Sequence, residues 1–380
     1  MTPDSSPPGR SASPDGIVQV SRPSVALVCA SARMDGISYA ARNIRTALRE
    51  LSFGVVWYQC VDRGQDWRIA EIDRAVTGLG VPNGTIDMGL NRQWIFPLRL
   101  RHVREEVMLL MDPTLINVAR FHPRTVIRVF DLKPLTPYAD RQSATWMFRY
   151  ALPRLRRIRR ILVPSNHLAQ ELAGHGIAAE RVRILPETHA LGFHPDHIAT
   201  SLERIRTTGT VRVVYVATDR PYKNLRFVIR LAQNAAESTD PTKLHFTIVS
   251  RLRPDTLALV SNLHLPNLTV VREAPLMAEV YEESDALIFP SLHEGFGLPV
   301  IEAMAFGLPV VASNVPPLTE VIGDGGTLLD PTTPELWMEA LQRLSNPSVY
   351  DTAARRSFAR GENFSPERFR EAVERAFEGI

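Results

Sequence analysis

The chain has few cysteines and no long apolar run, and its first 18 residues are mostly polar. Its 380 residues include two cysteines, Cys29 and Cys60, which are too few for a disulfide scaffold or a structural zinc site. We interpret both as ordinary buried thiols. No segment reaches the roughly 18 apolar residues of a membrane span, and residues 1–18 are too polar and proline-rich for a secretory signal. These absences predict a cytoplasmic protein.

Composition indicates a globular protein with two domains. Apolar residues make up 44% of the chain and charged residues 22%, as in ordinary globular proteins. A chain of this length exceeds one ordinary hydrophobic core, so we expect two. The formal charge of +3 is small, but the arginines occur in clusters that predict locally basic surfaces.

Residues 1–21 are rich in Pro, Ser and Asp and predict a disordered tail. The apolar run Val25–Cys29 predicts a buried strand, a loop containing Gly36 follows, and helical spacing begins near Tyr39. Strand, glycine loop and helix are typical of the first unit of a Rossmann-like domain, although the dinucleotide spacing G-x-G-x-x-G is absent.

The second half of the chain alternates apolar runs with helical patterns, beginning with a strand at residues 211–216. Such alternation predicts a parallel sheet covered on both faces, with ligands bound beyond the carboxyl ends of its strands. We place the linker between the domains at residues 197–209, with a helix at 201–206. The predicted domains are 22–205 and 206–362, and residues 363–380 form a last helix.

The most informative stretch is FPSLHEGFGLPVIEAMAFGLP, residues 289–309. It predicts a buried strand ending at Ser291, a glycine-bearing loop, and a helix from about Pro299, because proline suits the first helical position. The loop and the helix N-terminus would direct backbone N–H groups at one point, which favours an anion. Glu294 and Glu302, separated by seven residues, flank that point.

The run Glu294-Gly-Phe-Gly-Leu-Pro299, followed by Glu302, resembles the E-x7-E signature of a known enzyme group. These are the retaining glycosyltransferases of the glycogen-synthase-like and mannosyltransferase-like group (glycosyltransferase family 4, "glycosyl transferases group 1"). Beyond this motif the resemblance continues through residues 307–312 and 320–323, and in all it covers residues 209–350.

The resemblance implies the GT-B fold, an α/β architecture of two Rossmann-like domains that face each other across a cleft. It also implies that the last helix crosses back onto the first domain. The implied activity is hexosyl transfer from a nucleoside-diphosphate sugar, with retention at the anomeric carbon, to a glycan, lipid-linked or small-molecule acceptor. Mannose is mildly preferred, because the loop at Lys223-Asn-Leu225 is similar to that of related mannosyltransferases.

Site residues follow from the same resemblance. Lys223 fits the lysine of the family's Arg/Lys pair, which clamps the donor diphosphate; Tyr222 stands where the arginine would be, so Arg220 is our substitute. Lysine provides a point charge, whereas arginine provides a bidentate fork. Glu302 is assigned to the ribose hydroxyls and Glu294 to the sugar and catalysis. The remaining predicted donor-binding residues are Gly295, Phe296, Gly297, Leu298 and Pro299.

On the first domain, the resemblance places Gly36, Phe130 and Asp131 at the cleft. The family usually has a histidine before this aspartate, where it contacts the transferred sugar. Phenylalanine cannot form hydrogen bonds through its side chain, so here that contact is lost or supplied elsewhere. Gly36 fits two interpretations equally well, a plain turn glycine or a residue near the acceptor or the diphosphate.

Two basic stretches, residues 91–104 and 154–160, suggest contact with anionic lipid headgroups, which would suit a lipid-linked acceptor. An ordinary solvated helix face is the more common explanation for such stretches. Neither stretch belongs to a nucleic-acid-binding module, so we expect no nucleic-acid partner.

No D-x-D sequence occurs in the chain, which argues against a metal-bridged diphosphate. We therefore expect neither a metal nor a cofactor, with lysine, arginine and a helix N-terminus carrying the positive charge. Two alternatives stay open. One is a nucleotide-sugar epimerase of related fold, against which the motif argues; the other is a non-catalytic nucleotide-sugar-binding subunit, which Phe130 favours.

Overall fold

The apolar runs of the first half form a parallel sheet. A computed structural model describes residues 22–30, 36–62, 72–80, 84–139, 142–239, 243–272 and 276–380, so the predicted disordered tail lies outside the described residues. All five residues of the first strand are buried, as expected for a parallel strand covered on both faces. The seven strands are β1 (Val25–Cys29), β2 (Val55–Val61), β3 (Arg74–Thr77), β4 (Val107–Leu110), β5 (Thr125–Arg128), β6 (Arg160–Val163) and β7 (Val182–Ile184).

Their order in the sheet is β3-β2-β1-β4-β5-β6-β7, and every neighbouring pair is parallel. The covering helices are α1 (Gly36–Glu50), α2 (Gly84–Leu90), α3 (Phe96–Leu100), α4 (Gln142–Leu155) and α5 (Asn166–Gly174). Helix α1 begins at Gly36, three residues before the predicted start, so Gly36 belongs to the first helical turn and not to a loop. A π-helical turn, Asn91–Ile95, joins α2 to α3.

The second half of the chain forms a six-stranded sheet of order β10-β9-β8-β11-β12-β13, again parallel throughout. Its strands are β8 (Thr210–Val216), β9 (Lys243–Val249), β10 (Leu268–Val271), β11 (Ala286–Phe289), β12 (Val310–Ser313) and β13 (Thr327–Leu329). The remaining helices are α6 (Asp196–Thr208), α7 (Leu225–Glu237), α8 (Pro254–Leu263), α9 (Met277–Glu282), α10 (Leu298–Ala305), α11 (Leu318–Ile322), α12 (Pro334–Arg343), α13 (Pro347–Gly361) and α14 (Pro366–Phe377). The predicted architecture of two parallel α/β domains is confirmed.

The segment predicted as a linker is an ordered helix. Helix α6 buries Ile198 and Ile205 in the same core as Val213 and Trp337 of the second domain. It ends at Gly209, whose φ of 64° is the left-handed conformation that glycine adopts without strain. The apolar side chains of α6 therefore place it with the second domain, although the predicted boundary assigns most of it to the first.

The last helix returns to the first domain. Phe369, Val373 and Phe377 of α14 are buried in the core that contains β1 and α1. The Phe377 ring lies edge-on to Phe53, with 5.9 Å between the ring centroids. This crossing, which the resemblance implied, ties the two domains together through a buried apolar contact. None of the helices in the described part of the chain has the length and hydropathy needed to cross a bilayer.

Candidate functional site

The loop that follows β11 brings a helix N-terminus to the gap between the domains. Strand β11 ends at Phe289, two residues before the predicted end, and α10 begins at Leu298 with Pro299 in its first turn. Gly297 precedes the helix with a φ of 107°, and a Cβ there would lie 2.9 Å from Leu318. Glycine is therefore required at Gly297 for both its conformation and its size.

A cavity of about 510 Å³ lies between the domains, and this loop forms one wall of it. Ten of the twelve predicted site residues line the cavity: Gly36, Phe130, Asp131, Lys223, Glu294, Gly295, Phe296, Gly297, Leu298 and Pro299. The two that do not are Arg220, which is exposed, and Glu302. The structure therefore brings Lys223 to the E-x7-E loop but leaves Arg220 outside the cavity.

Lys223 and Glu294 form an ion pair on the cavity wall. Nζ of Lys223 lies 2.6 Å from Oε1 of Glu294, and their side chains are 16% and 7% exposed. Lys223 ends a short 3-10 turn before α7, and its carbonyl accepts a hydrogen bond from the buried Tyr215 hydroxyl. The pair presents one cation and one carboxylate to the cavity beside the N-terminus of α10.

Glu302 lies half-buried one turn further along α10. Its Oε2 accepts a hydrogen bond of 2.8 Å from the Tyr281 hydroxyl, and burial raises the pKa of Glu302. The pKa of Tyr39 on α1 is also raised, first by burial and then by the negative charge of Glu302. Glu302 therefore lies near the first domain's α1, one helical turn from Leu298, which lines the cavity.

The first domain closes the opposite wall with Phe130 and Asp131. A Cβ on Gly295 would lie 2.9 Å from the Phe130 carbonyl oxygen and 3.3 Å from the Asp131 Cβ, so the two domains meet closely here. Burial raises the pKa of Asp131, and the positive charge of Lys133 opposes that change.

A buried ion pair lies behind Phe130. The guanidinium of Arg128 is 5.3 Å from the centroid of the Phe130 ring and bonds to the Glu187 carboxylate. Both side chains are almost fully buried, and Glu187 also lines the cavity. We did not predict this pair; the signal was an arginine in the otherwise uncharged strand run at residues 125–129.

Two further contacts at the domain gap were also missed. Nζ of Lys133 donates a hydrogen bond of 3.1 Å to the Tyr222 hydroxyl, and both residues line the cavity. Tyr138 stacks on His293 with ring centroids 5.7 Å apart, and burial lowers the pKa of that histidine. These contacts join residues far apart in sequence, so no local pattern signals them.

A second contact between the domains involves Glu320, at α11. Its carboxylate accepts hydrogen bonds from the backbone N–H groups of Asn166 and His167 and from the Asn166 side chain, at 2.9, 3.1 and 2.7 Å. A carboxylate at a helix N-terminus accepts hydrogen bonds from the helix's unpaired N–H groups and interacts favourably with the helix dipole. Glu320 of the second domain thus caps α5 of the first.

The first basic stretch is split between the interior and the surface. The Arg92 guanidinium bonds to Asp112 and Thr114, and Phe96 is buried. Leu90, Trp94 and Leu98 are exposed at four-residue spacing, and Arg99, Arg101 and Arg104 nearby are exposed as well. We call these three apolar residues the Leu90–Leu98 stripe.

Comparisons with known proteins bear on the family and the fold of this chain. Residues 210–346 match the family "Glycosyl transferases group 1", which confirms the resemblance. "O-antigen chain mannosyltransferase B" of Escherichia coli is 42% identical over 87 residues, 23% of this chain and 23% of that protein. "D-inositol 3-phosphate glycosyltransferase" of Rhodococcus opacus (strain B4) is 34% identical over 166 residues, 40% of this chain and 37% of that protein. The alignments thus span well under half of these relatives.

Solved structures match over nearly the whole chain. Anabaena Alr3699/HepE in complex with UDP and glucose superimposes with a TM-score of 0.74 at 14% identity, covering 94% of this chain and all of that one. At 14% sequence identity this structural similarity concerns the fold alone. It confirms the GT-B architecture that the resemblance implied.

Proposed function

We propose that this chain, whose residues 210–346 match the group 1 glycosyl transferases, transfers a hexose from a nucleoside-diphosphate donor with retention at the anomeric carbon. The acceptor would be a glycan, a lipid-linked sugar or a small molecule. One observation carries the proposal: the pair of Lys223 and Glu294 lies beside the N-terminus of α10, at a cavity between the two α/β domains.

The proposed chemistry follows from the charges at that point. When the bond between the anomeric carbon and the diphosphate breaks, negative charge grows on the leaving phosphate oxygens. Lys223 and the N–H groups at the start of α10 would stabilise that charge, because preorganised positive groups act most strongly where charge develops. Glu294 and the N–H groups of Phe296 and Gly297 would hold the sugar hydroxyls, and Glu302 the ribose.

The donor is the least constrained part of the proposal. We infer a mild preference for mannose from the loop at Lys223, and relatives named as mannosyltransferases support it. The mannose preference brings guanosine donors into the test. The structure of the Anabaena protein contains UDP and glucose, so uridine donors belong in the test as well.

The decisive experiment is a thermal-shift panel of UDP- and GDP-linked sugars, followed by transfer and donor-hydrolysis assays on those that bind. Ligands that bind only the folded chain raise its melting temperature by mass action. We expect at least one nucleotide sugar to do so, and its hydrolysis to be lost in Glu294→Ala. Glu339→Ala, on an exposed face of α12, is the matched control. If none of the donors shifts the melting temperature, the proposal is wrong.

We also propose that transfer needs no divalent metal, since lysine and a helix N-terminus would neutralise the diphosphate. Excess EDTA should then leave the rate of the active donor unchanged. A rate that falls with EDTA and returns with Mg²⁺ or Mn²⁺ would contradict this part alone.

A lipid-linked acceptor would suit the Leu90–Leu98 stripe. Exposed leucine and tryptophan beside exposed arginines can insert into the interface of an anionic membrane. We therefore propose peripheral contact through this stripe. Trp94→Ser/Leu98→Ser should release the protein from phosphatidylglycerol vesicles, whereas Leu276→Ser, at an exposed leucine of the second domain, should not. Equal sedimentation of both variants would refute the contact.

A non-catalytic nucleotide-sugar-binding subunit is the second candidate, and Phe130 is the observation that favours it. The phenylalanine occupies the place of the family's histidine, and its ring covers a buried arginine. Binding of a donor without hydrolysis or transfer to any offered acceptor would support this candidate over the enzyme. Phe130→His then tests whether that one side chain restores turnover.

A further inference from the structure

Lysine is rare in this chain, and its placement is uneven. Of the 44 lysines and arginines, three are lysines: Lys133, Lys223 and Lys243. Arginine therefore provides nearly all of the basic surface. Two of the three lysines line the same cavity, one from each domain. Lys243 begins β9 and is exposed away from that cavity.

One tyrosine ring contacts both cavity lysines. Nζ of Lys133 is 4.7 Å from the centroid of the Tyr222 ring, and Nζ of Lys223 is 5.5 Å from the same centroid. Lys133 also donates a hydrogen bond to the Tyr222 hydroxyl. The Tyr222 ring therefore contacts the ammonium group of Lys133 from the first domain and that of Lys223 from the second. Both contacts are of the cation–π kind, and Lys133 adds a hydrogen bond.

Carboxylates and the N-terminus of α10 surround these two lysines. Glu294 offsets Lys223, and the backbone N–H of Lys133 bonds to the Asp131 carboxylate. The positive charge of Lys133 also acts on Asp131, so each of the two lysines has a carboxylate close by. The N-terminus of α10 lines the same cavity and attracts negative charge as well.

Arginine is missing from the position beside Lys223. Tyr222 stands there, and Arg220, the nearest arginine before it, is exposed and outside the cavity. A diphosphate carries at least two negative charges, and a single lysine already paired with a carboxylate neutralises little of them. The cavity wall offers one other lysine or arginine, Lys133, among the residues found to line it.

We propose that Lys133, from the first domain, is the second cation of the diphosphate subsite and that Tyr222 positions it there. Because Lys133 and Lys223 belong to different domains, a diphosphate bound by both would hold the domains closed. This inference rests on the proposed nucleotide-sugar function and specifies how the leaving group is held.

Amine labelling tests the proposal without any activity assay. The chain is treated with N-acetoxysuccinimide, with and without saturating UDP or GDP, and acetylation of each lysine is measured by mass spectrometry. We expect the nucleoside diphosphate to protect Lys133 and Lys223 and to leave Lys243 as reactive as before. Protection of Lys223 alone would overturn the inference and leave the proposed function standing. If neither lysine is protected and no nucleotide raises the melting temperature, both fail.

Variants separate a binding role from a structural one. Lys133→Met should weaken UDP or GDP binding about tenfold, as expected when one charge-assisted contact to a phosphate is lost. Lys133→Arg should restore most of the affinity, and Lys243→Met should change nothing. Tyr222→Phe keeps the ring and removes the hydroxyl, so we expect a smaller loss. If Lys133→Arg binds as weakly as Lys133→Met, charge is not what Lys133 provides, and the inference is wrong.

Discussion

Nζ of Lys223 lies 2.6 Å from Oε1 of Glu294, although 71 residues separate them in sequence. Both side chains are largely shielded from solvent, so each charge depends on the other. Removing one member of such a pair leaves a buried charge without compensation, at a cost of about 3–5 kcal/mol. Stability and activity can therefore be separated experimentally at this pair.

Lys223→Met should both destabilise the fold and lower kcat/KM by about 10²–10³, the usual loss when one preorganised charge is removed from a transition state. The double variant Lys223→Met/Glu294→Gln removes both charges and should regain most of the stability but none of the activity. Urea unfolding and donor hydrolysis measure the two effects. A double variant that recovers activity as well would show that the pair is structural only.

Gly295→Ala tests the close approach of the domains. The added methyl group would meet the Phe130 carbonyl oxygen at 2.9 Å, so the backbone of the loop or of the facing domain must shift. We expect donor hydrolysis to fall more than about tenfold, in line with the effect of misplacing reacting groups by a fraction of an ångström, while each domain stays folded. Gly54→Ala is the control, because its methyl group would meet nothing closer than 3.9 Å. An unchanged rate of donor hydrolysis in Gly295→Ala would mean that hydrolysis does not need the close approach of the two domains at Gly295.

Glu320→Ala should loosen the contact between the domains. It removes three hydrogen bonds from the N-terminus of α5 and leaves the second domain's core untouched. We expect a larger radius of gyration in solution scattering and a higher KM for the donor. Glu339→Ala, at an exposed ion pair on α12, serves as the matched control. If scattering and KM stay at the wild-type values, the capping contact does not hold the domains together.

His189 predicts a pH dependence of stability. Its ring is buried edge-on against Phe193, and burial lowers its pKa from 6.5 to about 4, against the opposing charge of Glu367 and with a small contribution from His194. Between those two pKa values, the His189 ring is protonated in the unfolded chain and neutral in the folded chain. The free energy of unfolding therefore falls as the pH drops below 6.5, by at most about 1.4 kcal/mol per pH unit.

His189→Leu should remove that contribution. Urea unfolding at pH 7 and pH 5 should show a smaller loss at pH 5 for the variant than for the wild type. Glu302 and Asp131, whose pKa values burial raises, contribute with the opposite sign in both proteins, so the difference isolates His189. His175→Gln, at an exposed histidine, should behave like the wild type. If the free energy of unfolding changes equally between pH 7 and pH 5 in all three proteins, His189 is not the source of this pH dependence.

The two sheets were predictable because buried parallel strands appear as apolar runs between helical patterns. The same holds for the E-x7-E loop, whose proline and glycines fix where the helix begins. Helix α6 was harder to assign, since its apolar residues show that it packs somewhere but not against which domain. Arg128 was missed because a buried arginine needs its partner, Glu187, which lies 59 residues further along the chain.

The amino-acid sequence alone determined the parallel α/β architecture, the E-x7-E loop and the lysine beside it, because periodicity and local backbone preferences act over a few residues. The tertiary structure decided that Lys133 meets Tyr222 across 89 residues and that Glu320 caps α5 across 154. Both contacts join the two domains. They depend on how the cores of the two domains are placed against each other, and α14, which packs onto the first domain, is part of that placement.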